Sequence, residues 1–309
     1  MMKIKERIQK IRKYISEEIW QLDTDDFSRF KARIIRDVKV LIITIRTFSA
    51  QKIGFQAVAL SFFCTMAVVP FISFAFVITG GLGLDGVLKN LLYANFDNQQ
   101  VIDTVLRFSD NIIRTSHSSV LGLISALLFV WLVIWMMMCV ESVFNNVWKV
   151  KKSRNIFKRF SFYIAILCLS PFIIMLFFSG SIVYSHILDS LVPNKIAFSE
   201  SIKSFLGWIV FCIISILTFS AMYKFVPNFK VKYSCAIMAA VFSGVVFTLL
   251  QYLYLETQVF VTRLNAIYGA VAAIPLFMFW LNFGWFIILF GAELSYAFQS
   301  VDDYNIIEK

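Results

Sequence analysis

Six stretches of this chain run for roughly twenty or more residues with almost no charge, and no other feature limits the possible folds so severely. A bilayer core of about 30 Å is crossed by roughly 20 helical residues. Residues 57–79, 120–147, 160–184, 205–226, 234–255 and 271–292 therefore each read as a membrane-spanning segment. Helix is expected in all six, because a lipid-exposed backbone must satisfy its own hydrogen bonds. Composition agrees: 59% of residues are hydrophobic, 34 are Phe and 16% are charged, where a soluble domain carries about 25% charged residues. The expected fold class is an all-α integral membrane protein with six transmembrane helices in residues 57–292. Amphipathic helices within residues 1–56 precede it, and residues 293–309 form a short tail.

The net charge is +10, and the placement of the cations explains it. Thirteen Lys and Arg precede the first span, six follow the second (Lys149, Lys151, Lys152, Arg154, Lys158 and Arg159), and Lys224, Lys230 and Lys232 follow the fourth. The three alternate loops hold only Lys89, Arg107, Arg114, Lys195, Lys203 and Arg263. Lys and Arg resist translocation, so both termini are expected in the cytoplasm. The same asymmetry accounts for the basic composition, and nucleic acid is not an expected partner. The first fifty residues lack the short apolar core and cleavage site of a secretory signal, so the internal spans are expected to drive insertion.

Before the first span, Ile4, Ile8, Ile11, Ile15 and Ile19 recur at helical spacing among Lys3, Lys5, Arg7, Lys10, Arg12 and Lys13. Such a basic amphipathic helix suits the anionic inner leaflet, each surface cation adding about 1 kcal/mol. Membrane lipid is thus the expected partner, although packing on the cytoplasmic ends of the spans would use the same pattern. A second amphipathic stretch carries Phe30, Ile34, Val38, Leu41, Ile42, Ile45 and Phe48. In the outer loop, 81–119, two short apolar patterns flank the polar run from Asn95 to Gln100, which predicts an outer helical hairpin between spans one and two.

Groups able to carry chemistry are few. His117 and His186 are the only histidines, no phosphate-binding or nucleophile-elbow motif occurs, and the five cysteines lie in apolar runs without metal-ligand spacing. Catalytic residues, metal ligands and cofactors are therefore not expected, and the chain reads as a non-enzyme. Acids inside spans are expensive and commonly functional. Glu141 falls late in span two and Glu293 at the end of span six, both near the cytoplasmic boundary, where water is within reach. Glu141, Asn145 and Trp148 follow at steps of four and three and so share a helix face. Asn282 and Glu293 are eleven residues apart, within about 20° on the helical wheel, with Asn282 nearer mid-depth. Glu141, Asn145, Asn282 and Glu293 are the candidate lining of a polar seam open to the cytoplasm. Interhelical hydrogen bonding, worth about 0.6–2 kcal/mol per bond, would place the same residues there.

Pro70 lies mid-span in the first segment and Pro275 near the outer start of the sixth, each removing a helix hydrogen bond and predicting a bend. The small-residue run from Tyr268 and Gly269 to Pro275 predicts a broken or re-entrant start to the last span, with Tyr268 and Gly269 shaping the outer end of a pathway. The small-residue faces suit a monomer or a homo-oligomer alike.

Several of these segments also occur together elsewhere. Ala59-Leu60-Ser61-Phe62-Phe63 leading to Val69-Pro70, Glu141 to Trp148 ending in Asn145-Asn146-Val147-Trp148, Val226-Pro227-Asn228, Ile267 to Pro275, and Leu289-Phe290-Gly291-Ala292-Glu293-Leu294 resemble the YihY/BrkB family of bacterial inner-membrane proteins, in order over residues 30 to 298. The resemblance implies six spans and a location in the bacterial cytoplasmic membrane. Members have carried the name ribonuclease BN, have been linked to serum resistance, and have been discussed as transporters. Here Ser61-Phe62-Phe63 stands where the family more often has a Tyr-rich stretch. Transport of an ion, small solute or lipid is the expectation that the polar seam supports, with an envelope scaffold as the alternative and a membrane-bound ribonuclease well behind both.

Overall fold

The computed structural model describes residues 28–81, 120–150, 157–166, 200–262 and 266–304 continuously, together with Trp20 and scattered positions in 83–107 and 154–173. Its principal elements are α1 (Arg29–Ala50), α2 (Ile53–Gly81), α3 (Val120–Val147), α4 (Glu200–Phe225), α5 (Tyr233–Thr262) and α6 (Ala266–Ser300). Residues 157–166 are also helical, and no strand occurs among the described residues. Among the described residues, three stretches are long and apolar enough to cross a membrane: Phe205–Phe225, Tyr233–Thr257 and Pro275–Ser300. The described side chains of α2 and α3 supply shorter apolar stretches, Ile53–Ala67 and Trp131–Val147, within helices of 29 and 28 residues.

Predicted and observed elements agree closely where both exist, and they differ instructively at α6. This helix does not stop at 292 but runs on to Ser300. Leu294, Ala297 and Val301 stay buried beyond the apolar run, so the packed face continues and the helix continues with it. At its other end the expected break is absent. The backbone is helical from Ala266 straight through Tyr268, Gly269 and Pro275, correcting the expectation of a broken start. Pro275 costs one internal hydrogen bond without ending the helix, and Pro70 likewise falls inside α2. Segment 1–19 and most of the predicted span 160–184 lie outside the described residues. In the predicted outer hairpin the described positions are mostly helical, and Tyr93 donates a hydrogen bond to Asp103 Oδ1 at 2.5 Å.

Where α5 meets its neighbours the bundle is packed with small residues, while many large apolar side chains face outward. Ala236, Ala239, Ala240 and Ser243 of α5 and Ala292 and Ser295 of α6 are buried, whereas Phe205, Ile213 and Leu217 of α4, Val245 and Leu249 of α5, and Phe279 and Phe283 of α6 are exposed. In water this would leave a large apolar surface uncovered. In lipid it is the expected arrangement, because hydrocarbon gives large apolar side chains no reason to hide and close van der Waals packing holds the helices together. α5 packs chiefly on α4 and α6, and α6 also packs on α2 and α1.

Two glycines set the closest approaches. A Cβ on Gly291 would overlap Ser243 Oγ and the Tyr223 hydroxyl. One on Gly244 would stand 3.1 Å from the backbone nitrogen of Ile216. Gly207 has open space around it. Gly291→Ala and Gly244→Ala are therefore expected to cost about 1–3 kcal/mol by overpacking, read as a lowered unfolding midpoint in detergent, while Gly207→Ala leaves the midpoint unchanged or slightly higher.

Candidate functional site

Three of the family-like segments quoted above, Glu141 to Trp148, Val226-Pro227-Asn228 and Leu289 to Leu294, meet at one end of the bundle. α3 finishes at Val147 and α1 at Ala50, and each is followed by a lysine in the left-handed region, Lys149 (φ 52°) and Lys52 (φ 53°). The buried side of α1 is Val40, Ile43, Thr44 and Thr47, recurring at three and four residues, so Thr47 is carried inward against α6. Phe48 seats this helix by ring contacts with Phe286 and Phe290.

Both candidate acids are found here and both are dry. Glu141 is 1% exposed and Glu293 0%, which overturns the expectation that water reaches them at this depth. Their surroundings differ in kind. Glu141 forms an ion pair with Arg159 Nε at 3.1 Å, accepts a short hydrogen bond from the Tyr163 hydroxyl, and receives a longer one from Asn145 Nδ2 at 3.5 Å. Asn145 Oδ1 in turn accepts the backbone N–H of Asn228 at 2.8 Å. Arg154 closes the same corner by donating to the carbonyls of Phe225 and Pro227. This is a clasp between the end of α3, the helix at 157–166 and the α4–α5 connection.

Glu293 has no ion pair among the described residues. Its Oε2 accepts from Thr47 Oγ1 at 2.7 Å. The terminal amide of Gln51 stands 3.3 Å from its Oε1 and 3.1 Å from the carbonyl of Asn146, and with nitrogen turned inward it donates to both. Lys149 is the cation whose field reaches this carboxylate. Its ammonium, however, donates to the Tyr296 hydroxyl at 2.9 Å and lies over the rings of Tyr296 and Tyr304. Trp148 completes this layer, stacked on Phe229 and edge-on to Tyr296.

The structure thus brings Glu141 and Asn145 together and links them to Glu293 through the neighbouring Asn146 and Gln51. Asn282 is half-buried and hydrogen-bonds to none of these groups. The predicted seam is therefore two carboxylate sites at the helix ends, without the mid-depth member. Pro70, Tyr268, Gly269 and Pro275 lie along helices away from this end, where only the backbone of the first three is described. Sequence reasoning missed Thr47, Gln51, Arg159 and Tyr163. Arg159 and Tyr163 carried a usable signal, a cation and a hydroxyl one helical turn apart shortly after an intramembrane acid. No three His, Cys, Asp or Glu side chains among the described residues come within reach of a common metal.

Residues 44–306 match the family model described as virulence factor BrkB. The chain belongs to that family. A UPF0761 membrane protein of Acinetobacter baylyi is 33% identical over 265 residues, covering 83% of this chain and 61% of the relative. Another, of Janthinobacterium, is 25% identical, with 83% and 58% covered. The chain therefore spans about three fifths of the length of these two. A third, of Actinobacillus pleuropneumoniae, is 26% identical over 272 residues and is matched over 95% of its length. No solved structure matches. The molecule is a membrane protein of the BrkB family, and the match takes in every residue of both carboxylate sites.

Leaving Glu141 buried without its cation should be costly, whereas removing both partners should not. Arg159→Leu is expected to lower stability by about 3 kcal/mol, and adding Glu141→Leu should return most of that loss. Unfolding of the purified variants in detergent measures both.

Proposed function

We propose that this BrkB-family protein moves an ion, small solute or lipid across the bacterial cytoplasmic membrane, with Glu293 as the group whose charge state is coupled to movement. The reading includes six spans with both termini in the cytoplasm, a basic N-terminal segment held at the anionic inner leaflet, and no catalytic, cofactor or nucleic-acid role. One observation carries it: a fully buried carboxylate with hydrogen-bond donors and, among the described residues, no ion pair, Lys149 acting on it only at a distance while its ammonium is held by Tyr296. Burying an isolated carboxylate costs far more than two neutral hydrogen bonds return, so such a group takes up a proton or a cation, and a membrane protein retains it where that uptake is used. Glu293 also sits where α1 packs on α6. Its two donors among the described residues, Thr47 of α1 and Gln51 at that helix's C-cap, move together, so movement of α1 against α6 would expose it.

Glu141 supports a second reading. Its charge is matched by Arg159 and its remaining acceptors are occupied, the pattern of a fixed structural clasp, as expected of a scaffold holding the envelope-facing parts of the chain.

The two readings separate in proteoliposomes carrying an internal pH-sensitive dye and an imposed membrane potential, run in parallel with radiolabelled Na+ uptake. Transport predicts wild-type flux above empty vesicles, reduced to the empty-vesicle level by Glu293→Gln. It should be unaffected by Asp302→Asn, which removes only an exposed pair with Arg36. Wild-type vesicles as tight as empty ones to both ions would remove ion movement through Glu293 and favour the scaffold.

A further inference from the structure

We infer that Glu293, Gln51 and the carbonyl of Asn146 form a binding site for a hard monovalent cation, Na+ in the first place. The inference rests on the reading of Glu293 as the coupling group and names what that group holds. Three observations converge on it.

The first is the donor set. The Gln51 terminal amide stands between a carboxylate oxygen of Glu293, 3.3 Å away, and the Asn146 carbonyl, 3.1 Å away, where the ends of α1 and α3 meet α6. The nitrogen and oxygen of an amide are nearly isosteric, and which of them faces inward is decided by its neighbours. Turned one way, Gln51 donates to two acceptors. Turned the other, it completes an all-oxygen face of carboxylate, amide and backbone carbonyl, the ligand types that hard cations take. Oxygens that ligate a cation of this class at about 2.3–2.6 Å and subtend nearly a right angle stand about 3.0–3.6 Å apart. The observed separations fall inside that interval.

The second is electrostatic. α1 ends at Ala50 and α3 at Val147, so two helix C-termini, each equivalent to roughly half a negative charge, lie near a carboxylate already out of water. The Asn146 carbonyl belongs to the last turn of α3 and accepts one backbone bond, from Lys149 N at 3.0 Å, which leaves its second lone pair for a ligand. Two negative helix ends beside a carboxylate favour a cation.

The third is charge balance. Among the groups that would touch the ion only Glu293 is charged, since Gln51, Asn146 and Thr47 are neutral and the Lys149 ammonium is held on Tyr296, so a single positive charge cancels it. A divalent ion would leave an excess in a dry place, and Mg2+ would also bring waters it gives up reluctantly. Thr47 donates to the other carboxylate oxygen and so fixes the direction in which Oε1 points. Gln51 is only half-buried, which places the approach to the site at its side.

The test uses the full chain in detergent, with thermal unfolding followed as NaCl replaces choline chloride at constant ionic strength, and with direct binding of radiolabelled Na+. The unfolding midpoint should rise saturably with Na+, with about one ion bound per chain. Glu293→Gln should abolish both responses. Gln51→Leu, at a helix end that tolerates change, should weaken binding by about tenfold or more, so the site stays testable if the Glu293 variant fails to fold. Arg36→Gln, remote from the site, should bind as wild type does.

An equal midpoint in choline and Na+, a rise with Mg2+ or Ca2+ alone, or unaltered Na+ binding by Gln51→Leu would each overturn the assignment. Failure of the transport reading looks different. Na+ bound by a protein whose vesicles remain tight keeps the site and removes transport, and proton flux through Glu293 without any Na+ response does the reverse.

Discussion

A carboxylate taken out of water must be given something in return, and this molecule answers that demand twice at one end of the same bundle. For Glu141 the answer is complete: a guanidinium, a phenol and an amide converge on it. For Glu293 it is partial, a threonine hydroxyl and a glutamine amide from a single helix. The contrast assigns the two acids different work. A neutralised group holds elements in place, whereas a group left with its charge uncompensated is poised to exchange it. α1 matters for the same reason. It lies outside the three long apolar helices, yet it supplies both donors to Glu293 and the Phe48 contacts that seat it.

Lipid as solvent explains how so polar a junction is held. Without a strong hydrophobic drive between helices, cohesion comes from close approach: Gly244 lets α5 meet the backbone of α4, and Gly291 makes room on α6 for Ser243 and Tyr223. Gly291 lies two residues before Glu293, so the contact that draws α6 onto Tyr223 and Ser243 also fixes the acid in depth and rotation. The large side chains displaced from this core line the outside, where hydrocarbon accepts them.

The helices were legible because their signal is composition over twenty residues, and neighbouring contacts hardly perturb it. Val120–Val147 falls where the apolar run placed it. The continuation of α6 to Ser300 was hidden because its last two turns mix Glu293, Ser295 and Gln299 with small buried residues, and only packing shows them to be core. The unbroken passage through Pro275 was hidden for a related reason: a proline inside a helix costs one hydrogen bond, which a long helix with packed neighbours absorbs. The site was half legible. An acid in an apolar run announces itself by expense, and Glu141 and Asn145 announce each other by spacing. Partners from other elements have no such period. Thr47 and Gln51 sit in a helix whose reading stopped at its amphipathic stripe, and Arg159 counted only as a charge that sets topology. Asn282 shared a helical face with Glu293, but a shared face on one helix does not bring two side chains eleven residues apart into contact.

The account depends on Glu293 being held by α1, and one energetic measurement addresses that directly. A double-mutant cycle of Thr47→Val and Glu293→Gln, read from unfolding in a fixed detergent and ionic composition, isolates their interaction from the cost of each change alone. A buried, charge-assisted bond predicts a coupling of about 1–2 kcal/mol, above the roughly 0.6 kcal/mol average for hydrogen bonds between membrane helices. Additive effects, with no coupling beyond error, would mean that Thr47 and the carboxylate do not meet in the folded protein and would contradict the account.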